Sequence, residues 1–370
     1  MTSPFRVAVV GLGNAGHTLH LPALAGIANV QVVGACDIDA GRRDRAATTW
    51  NVPVYEDFDT MLARANADVV IIGTPPDSHA SYCLKSFAAG AHVICEKPFV
   101  SSLDEADRVI SAAEAAGKRV ALNHEFREMP IFRAVRDAAA PNDIVFAQVW
   151  QLMDLPPWAE PGWRGKMLQR TLYEAGVHLV DFLMALFGEK PRAVSGTVST
   201  CGVREGDTDA VALVTLEFSR GRLAQVVQNR LCKGETQYFE VRADTPTASL
   251  RASFGGRARV TAGLHRSTRP HVRLDYGVSG MAWREVGNTR TLLARNPKEP
   301  GMIATRLVFK KTFEAFRTGS APPASGEDAR DVLEVIAACY HAAATGRRVR
   351  LEGTTPPELA GMRMGANPAA

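Results

Sequence analysis

The chain has 370 residues, of which 46% are hydrophobic and 22% are charged, and its formal net charge is +4. This length exceeds what one ordinary hydrophobic core covers, so we expect two domains of a globular protein. The basic residues form no lysine-rich block and do not alternate with aromatic residues, so a nucleic acid partner is not expected. The six cysteines lie far apart without a C-x-x-C pair, which indicates reduced thiols and no metal site.

The first residues lead directly into an apolar run that begins at Phe5, which argues against a secretion signal. No apolar run approaches the roughly 20 residues that a membrane-spanning helix needs. We therefore expect a cytoplasmic protein with no membrane partner.

A glycine-rich hexapeptide, Gly11-Leu-Gly-Asn-Ala-Gly16, follows the apolar run from Phe5 to Val10 and precedes a segment with a helical pattern. A second apolar run starts at Val30 and ends on Asp37, about 20 residues beyond the last glycine. A strand, a glycine turn, a helix and an acidic residue at this spacing predict the β-α-β unit that binds a dinucleotide.

Each position of the hexapeptide has a physical role in such a site. Gly11 allows the tight turn, Gly13 lets backbone N–H groups approach a pyrophosphate, and Gly16 lets the helix pack closely on the strand. Asn14 and Ala15 lie at the start of the helix, whose positive end faces the phosphates. These residues are therefore predicted to bind the cofactor.

Asp37 and Arg42 bear on the choice of cofactor. The Asp37 carboxylate can accept hydrogen bonds from both hydroxyls of an adenosine ribose and repels a 2′-phosphate, which favours NAD. Arg42 and Arg43 follow closely and can pair with a 2′-phosphate, so NADP remains an alternative.

Strand and helix patterns alternate through the first 123 residues. Short apolar runs rich in β-branched residues recur at 67–73, 91–96 and 118–122, as parallel strands covered on both faces require. A capping box, Ser102-Leu-Asp-Glu105, marks the start of one intervening helix. We predict an α/β fold in which residues 1–123 form a Rossmann domain with a doubly wound parallel sheet.

Ligands of such sheets bind beyond the carboxyl ends of the strands, so the residues that follow each strand are candidates for the site. Thr74, Pro75 and His79 follow the third apolar run, where a stiff turn with few donors suits a flat ring or a ribose. Helix punctuation is the alternative explanation of this turn. Glu96 follows the fourth run and Asn123 the fifth. All five residues are predicted to contact the cofactor.

Lys97 emerges from the fourth run, where a long solvated cation would not ordinarily be placed. A lysine there can contact the cofactor and donate a hydrogen bond to a substrate hydroxyl or carbonyl. A salt-bridged lysine with a structural role is the alternative. Pro98 fixes the turn, with a cis peptide bond as one option. Arg127, after the fifth strand, is a further candidate for substrate contact.

Residues 124–350 are predicted to form a second, strand-rich domain, followed by a tail at 351–370 that is extended unless it docks on a neighbour. Alternating patterns predict an antiparallel sheet with one covered face and strands at 144–150, 193–198, 210–218, 222–229 and 237–242. Helices are predicted at 171–187, 302–317 and 326–345. The arginine-rich segment 251–273 is typical of a solvated surface or a subunit contact rather than of a site for an anionic substrate.

The predicted helix 171–187 carries Glu174 and His178, which are four residues apart and therefore share a face. A carboxylate one turn before an imidazole can hold its orientation and stabilise its protonated form, which suits His178 to act as a base. A histidine at the edge of the core beside a surface glutamate is the alternative.

Five motifs follow one another along the chain: GLGNAG, TPPDSHA, EKP, Gly162-Trp-Arg164 and EAGVHLVD. Their order and spacing resemble the family of glucose-fructose oxidoreductase, inositol dehydrogenase and rhizopine catabolism protein over nearly the whole chain. The resemblance implies a Rossmann domain followed by an α+β domain with an open-faced, mainly antiparallel sheet, through which homodimers or homotetramers assemble. It also implies oxidation or reduction of a sugar or cyclitol carbon with a nicotinamide cofactor.

The resemblance also implies roles for individual residues. The family's EKP lysine matches Lys97 and its helix histidine matches His178, so both are expected to be catalytic. Contact with substrate is expected from Lys97, Arg127, Trp163, Arg164, Tyr173 and His178. The family commonly has an aspartate four residues before the histidine, after a glycine-rich stretch. This chain has Glu174 there, after residues 167–173, so the wall of its substrate pocket differs.

The resulting hypothesis is an NAD(P)-dependent oxidoreductase in which His178 removes a proton from a substrate alcohol, Glu174 orients His178 and Lys97 holds the oxygen. Three alternatives stay open at this point. They are glycoside cleavage through transient oxidation by a bound NAD, a non-catalytic dinucleotide-binding sensor, and reduction of an imine, enone or pyrrole.

Overall fold

The structure is a computed structural model, and it describes residues 3–203, 209–255, 259–264, 270–275 and 280–365. The chain divides into two compact units. The first consists of Met1–Met129, Glu299–Ala337 and Thr354–Ala370, and the second of Pro130–Lys298 and Ala338–Gly353. The division is not contiguous in sequence, in contrast to the predicted boundaries of 1–123, 124–350 and 351–370.

One late helix, Pro300–Thr318, packs into the core of the first unit. The helices of the described residues are α1 (Leu21–Ala25), α2 (Ala40–Trp50), α3 (Phe58–Ala65), α4 (His79–Ala88), α5 (Leu103–Ala115), α6 (Pro130–Asp137), α7 (Val177–Phe187), α8 (Pro300–Thr318) and α9 (Gly326–Thr345). On α8, Val308, Phe309 and Phe313 are buried in one hydrophobic cluster with Val7 and Val9 of the first strand. Because burial of such apolar surface is the main driving force of folding, α8 joins the core of the first unit.

The first unit contains a parallel sheet of six strands. They are β1 (Phe5–Val10), β2 (Val30–Cys36), β3 (Val54–Tyr55), β4 (Val69–Ile72), β5 (His92–Cys95) and β6 (Val120–Leu122). Their order across the sheet is β3-β2-β1-β4-β5-β6, which confirms the predicted doubly wound fold. The two-residue edge strand β3 was not predicted because it is too short to show an apolar pattern. The order reverses between β1 and β4, so a ligand is expected at the carboxyl ends of these strands.

The second unit contains a larger sheet. Its strands are β7 (Phe146–Leu152), β8 (Ala193–Ser199), β9 (Val211–Glu217), β10 (Leu223–Asn229), β11 (Gln237–Asp244), β12 (Ser249–Gly255), β13 (Arg259–Leu264), β14 (Pro270–Asp275), β15 (Met281–Val286), β16 (Thr289–Arg295) and β17 (Val349–Arg350). Nine of them form a sheet in the order β16-β15-β12-β11-β7-β10-β9-β8-β17, and β13 pairs with β14. The β7–β10 pair is parallel and the other neighbours are antiparallel, so the sheet is mixed. Buried and more exposed positions alternate along β9 and β10, as the prediction of one covered face requires.

The described part of the C-terminal tail packs on the first unit. The Met364 backbone N–H donates to the Ser101 carbonyl at 2.8 Å, and Arg363 forms a β-bridge with Ser102 at the start of α5. Leu359 and Met364 are buried, so the tail docks on its own chain. For the arginine-rich segment 251–273, the side chains beyond Gly255 lie outside the described residues. Within the part of the chain that the structure describes, the helices are too short or too polar to cross a bilayer.

Candidate functional site

The glycine turn after β1 is closely packed at two of its three glycines. Gly11 has a φ of +89°, and a Cβ built on it would lie 2.5 Å from the carbonyl carbon and oxygen of Gly73. A Cβ on Gly16 would collide with the carbonyl oxygen of Gly11. A side chain at either position is therefore excluded, which is the physical reason for the glycines that the sequence motif contains.

The third glycine, Gly13, borders open space. The nearest described heavy atom to a Cβ at this position would be Nη1 of Arg42, 3.8 Å away. The helical segment begins here, since the His17 N–H donates to the Gly13 carbonyl at 3.0 Å, and Gly16–His20 continues it as a π-helical turn. Asn14 and Ala15 lie between these residues at the helix start, where unpaired N–H groups favour a phosphate. This arrangement leaves room for the pyrophosphate at the predicted position.

Asp37 follows β2 and is held by the glycine turn. Its Oδ2 accepts a hydrogen bond from the Leu12 N–H at 2.8 Å and lies 3.4 Å from Nη1 of Arg42. Arg43 instead donates to the carbonyls of Asp37 and Ile38, which ties its guanidinium to the backbone. Arg42, whose side chain is half-exposed, is thus the arginine that can turn toward a 2′-phosphate.

Ile38 is a residue that the sequence reasoning missed. It directly follows Asp37, and 87% of its surface is exposed, which is unusual for a large apolar side chain. A flat adenine ring could cover this surface beside the ribose. The sequence did offer one indication of Ile38, because it is an apolar residue that directly follows the carboxylate predicted to bind the ribose.

His79 lies deep in the first unit. Its Nδ1 is 3.0 and 2.9 Å from the carbonyls of Pro98 and Phe99, and its Nε2 is 2.8 Å from the carbonyl of Thr74. Burial lowers the pKa of His79, whereas its hydrogen bonds to the backbone carbonyls act in the opposite direction. The ring is fully buried among backbone groups, so the structure does not favour the predicted contact between His79 and the cofactor. It connects the turn after β4, which carries Thr74 and Pro75, to the turn after β5.

The turn after β5 is organised by Glu96. Its Oε1 accepts hydrogen bonds from His20 Nε2 and Asn123 Nδ2, both at 2.7 Å, and its Oε2 accepts one from the Lys97 N–H at 3.2 Å. Burial would raise the pKa of Glu96, but the hydrogen bonds and the nearby charges lower it to about 2. The ionised carboxylate therefore holds the backbone of Lys97, and the Lys97–Pro98 peptide bond is cis, as the sequence allowed.

Glu96 and Asn123 are thus largely engaged with each other. Asn123 also has its Nδ2 3.4 Å from Thr305 Oγ1 on α8. His20, which was not predicted, belongs to this network through the π-helical turn. Nothing in the local sequence marked it, because its partner Glu96 is 76 residues away.

The guanidinium of Arg127 binds a carbonyl and a carboxylate near the start of α9. Its Nη1 donates to the Pro323 carbonyl at 2.6 Å and lies 3.3 Å from the carboxylate of Asp328 on α9. Only 11% of its side chain is exposed. The structure therefore does not favour the predicted substrate contact of Arg127, since its guanidinium links the start of α9 to the first unit.

The segment that carries Glu174 and His178 begins with a π-helical turn, Thr171–Gly176, before α7. A buried carboxylate, that of Asp209, covers the start of this turn. It accepts hydrogen bonds from the backbone N–H groups of Arg170, Thr171 and Leu172 at 2.5, 2.8 and 3.0 Å. Asp209 thus satisfies three of the donors that a helix start leaves unpaired.

Tyr340 of α9 completes the same network. Its hydroxyl donates to Asp209 Oδ2 at 2.7 Å and accepts the backbone N–H of Tyr173 at 3.1 Å. Burial raises the pKa of Tyr340, so the hydroxyl keeps its proton. The side chain of Tyr173 is fully buried, and the structure therefore does not favour its predicted substrate contact.

Replacing Tyr340 with phenylalanine should lower the free energy of unfolding by about 1–2 kcal/mol, because a buried N–H and a buried carboxylate oxygen each lose a partner. The measurement is the urea midpoint of the variant against wild type. Tyr238→Phe is the control, since Tyr238 is partly exposed. Equal midpoints for Tyr340→Phe and wild type would refute the role of this hydroxyl.

Glu174 lies among three arginines. Its carboxylate is 3.4 Å from Arg164 Nε, 3.5 Å from Arg170 Nη2 and 3.6 Å from Arg230 Nη2. Glu160 pairs with Arg170 and, at 3.0 Å, with Arg230. His178 is buried, and the orienting effect of Glu174 on it stays a prediction.

Trp163 and Arg164, both predicted to contact substrate, form a stacked pair with the guanidinium carbon 4.5 Å from the ring centre. The sequence reasoning missed Glu160, Arg170 and Arg230. Only Arg170 offered a signal, because it lies in the altered stretch before Glu174.

Comparison with known families covers both units. Residues 5–124 match the oxidoreductase family with an NAD-binding Rossmann fold, and residues 133–249 match the GFO/IDH/MocA C-terminal domain. The chain belongs to the GFO/IDH/MocA oxidoreductase family. The family resemblance drawn from the motifs is confirmed, and the protein is an NAD(P)-dependent oxidoreductase.

Individual relatives align over most of this oxidoreductase. D-apiose dehydrogenase of Paraburkholderia graminis is 26% identical over 363 residues, which cover 94% of this chain and 90% of that protein. The scyllo-inositol 2-dehydrogenase (NADP(+)) of Bacillus subtilis is 22% identical over 356 residues, covering 94% and 96%. Among solved structures, GenD2 from gentamicin A biosynthesis in complex with NAD has a TM-score of 0.75 at 22% identity, covering 95% of this chain and 98% of that one. At this identity the structural likeness shows a common fold.

The residues present fit the family's dinucleotide cofactor. The open space at Gly13 borders a helix start, where a pyrophosphate is favoured. The buried carboxylate of Asp37 and the exposed face of Ile38 suit a ribose and an adenine. The nicotinamide of such a cofactor accepts or supplies a hydride when bound.

Proposed function

We propose that this oxidoreductase interconverts a secondary alcohol and a ketone on a sugar, a cyclitol or a related polyol. The observation that carries the proposal is the position of Lys97. It directly follows β5 at the carboxyl end of the parallel sheet, and Glu96 holds its backbone. The names of the relatives, a D-apiose dehydrogenase and a scyllo-inositol 2-dehydrogenase, support a polyol substrate.

Two side chains divide the acid-base work in this proposal. The Lys97 ammonium donates a hydrogen bond to the reacting oxygen and stabilises negative charge that develops on it. The His178 imidazole accepts the hydroxyl proton during oxidation and returns it during reduction. Glu174 stabilises the imidazolium form of His178.

Incubation of the protein with NAD or NADP and a panel of free sugars, cyclitols, glycosides, imines, enones and pyrroles tests this function. We expect reduced nicotinamide, seen by its absorbance, together with a ketone product identified by mass spectrometry. Cleavage of a glycoside without net reduction would replace the proposal with transient-oxidation chemistry. Cofactor binding without turnover of any compound in the panel would indicate a sensor instead of an enzyme. Turnover confined to imines, enones or pyrroles would show that the substrate is not a polyol.

We expect NAD to be preferred over NADP, because the buried Asp37 carboxylate repels a 2′-phosphate. Asp37→Ser should weaken NAD binding and strengthen NADP binding by about tenfold or more, as Arg42 becomes available for the phosphate. Titration of each cofactor, followed by fluorescence, measures both constants. Asp44→Ser, on the exposed side of α2, is the matched control. A wild-type preference for NADP would contradict the assigned role of Asp37.

We also propose that the protein assembles into a homodimer or homotetramer through the outer face of its nine-stranded sheet. Leu213, Val227 and Trp150 lie side by side on β9, β10 and β7. Leu213 is 49% exposed, and an apolar row of this kind is typical of an interface. Light scattering of the purified protein gives its mass, and a monomer at micromolar concentration would contradict the proposal.

A further inference from the structure

The second unit contains an arginine cluster, defined here as Arg164, Arg170 and Arg230 with Glu160 and Glu174. Three guanidinium groups and two carboxylates leave one positive charge in excess. Among the described residues, no further carboxylate forms an ion pair with these arginines. The side chains of Arg170 and Arg230 are only 1% and 4% exposed, so water compensates this charge poorly.

Hydrogen-bonding capacity is also left over. The Nε atoms of Arg170 and Arg230 are buried without a hydrogen-bond partner in the described part of the chain. An unsatisfied buried donor is costly, and each such group calls for an explanation. Burial and, more weakly, the nearby Arg230 charge lower the pKa of Arg170, against the raising effect of Glu174 and Glu160.

Arg164 is the member of the cluster that a small molecule can reach. Its side chain is 41% exposed, and it meets Glu174 through Nε alone. Its two terminal amino groups make no hydrogen bond to the described residues. Stacking on Trp163 holds the plane of the guanidinium, which leaves its outer edge as a pair of parallel donors. Such an edge matches the two oxygens of a carboxylate.

We propose that the arginine cluster binds the carboxylate of an acidic sugar substrate, with Arg164 as the direct contact. The net charge of the cluster, +1, is neutralised by a monoanion. The two negative charges of a phosphate dianion would exceed this net charge, and the carboxylate of Glu174 would repel them. His178 follows Glu174 by four residues along the same helical segment. A carboxylate bound there is therefore a few bonds from the carbon that reacts, as in a uronic or aldonic acid. This inference rests on the proposed function, whose substrate class it narrows.

The test compares acidic and neutral sugars of matched stereochemistry. With wild type, D-glucuronate and D-galacturonate should have lower KM values than D-glucose and D-galactose, and the difference should shrink as salt is added. Arg164→Gln should raise KM for the acids by about tenfold to a hundredfold, with a small change in kcat and a much smaller change in KM for the neutral sugars. Arg164→Lys should retain part of the effect, because it keeps the charge but loses the paired donors.

Arg192→Gln is the control, since Arg192 is a half-exposed arginine of the same unit that pairs with Glu352. Equal KM changes for acids and neutral sugars in Arg164→Gln, or no preference of wild type for acids, would overturn the inference. Binding is measured separately by calorimetry, with D-glucuronate titrated into the protein saturated with NADH. If the acid binds in an Arg164-dependent manner without turnover, the anion site stands and the proposed reaction fails. If neutral polyols turn over without a preference for acids, the reaction stands and the anion site fails.

Discussion

Replacing His178 with alanine should lower kcat about 10²- to 10⁴-fold and leave the binding of NAD unchanged. The imidazole is proposed to accept the substrate proton, whereas the glycine turn and Asp37, which are predicted to bind the cofactor, belong to the other unit. Stopped-flow measurement of nicotinamide absorbance gives the rate, and fluorescence titration gives the cofactor affinity. The pH dependence of kcat should also lose the rise that reflects deprotonation of the base.

His178 is buried, so its removal needs a check on folding. His178→Asn keeps a polar side chain of similar size and should show the same loss of turnover with a wild-type urea midpoint. Added imidazole should restore part of the activity of His178→Ala. His341→Ala, on α9, is the control and should behave as wild type. A kcat within twofold of wild type for both His178 variants would remove this residue from the mechanism.

Lys97→Ala should lower kcat about 10²- to 10³-fold and also raise KM, because one ammonium donor both holds the substrate oxygen and stabilises charge on it in the transition state. Lys97→Arg should recover binding more than turnover, since the charge is kept but the donor geometry changes. Steady-state kinetics with the best polyol of the panel separates the two effects. Loss of turnover without a change in KM would show that Lys97 does not hold the substrate in the ground state.

The control for Lys97 is Lys85→Ala. Lys85 lies on α4 in the same unit and pairs with Asp59 at 2.7 Å on the surface, where an ion pair contributes little to stability. Its removal should leave both kinetic constants unchanged. Wild-type kinetics for Lys97→Ala would contradict the assignment that carries the proposed function.

The glycine turn and its contact with Asp37 could be predicted because their structural requirements are local. Gly11 and Gly16 are needed where the backbone leaves no room for a Cβ, and the glycine turn and Asp37 belong to one short β-α-β unit. The apolar periodicity and the spacing of the glycines and Asp37 along the sequence therefore predict this part of the structure directly. Lys97 could be placed for a similar reason, since a residue that follows a parallel strand lies at the ligand edge of the sheet.

The predicted contacts that the structure does not favour lie where distant contacts decide which side chain is accessible. His79 and Arg127 have the residue types and positions of site residues, yet the carbonyls of Phe99 and Pro323, respectively, engage them. The start of the segment that carries His178 depends on Asp209 and Tyr340, which are 131 residues apart. Pairings over such separations leave no periodic signal in a single sequence.

The sequence by itself determined that the chain has a dinucleotide-binding Rossmann unit with a strand-rich second unit, and it supplied Lys97 and His178 as a candidate acid-base set. It did so because turn glycines, apolar periods and helix spacing are set by short-range sterics and burial. Three features became known only from the tertiary structure. α8 and the tail belong to the first unit, His79 is buried, and Arg230 pairs with both Glu160 and Glu174. Burial and charge pairing depend on which segments come into contact when the chain folds. The same contacts leave one positive charge in excess in the arginine cluster, and this charge is proposed to select an acidic substrate.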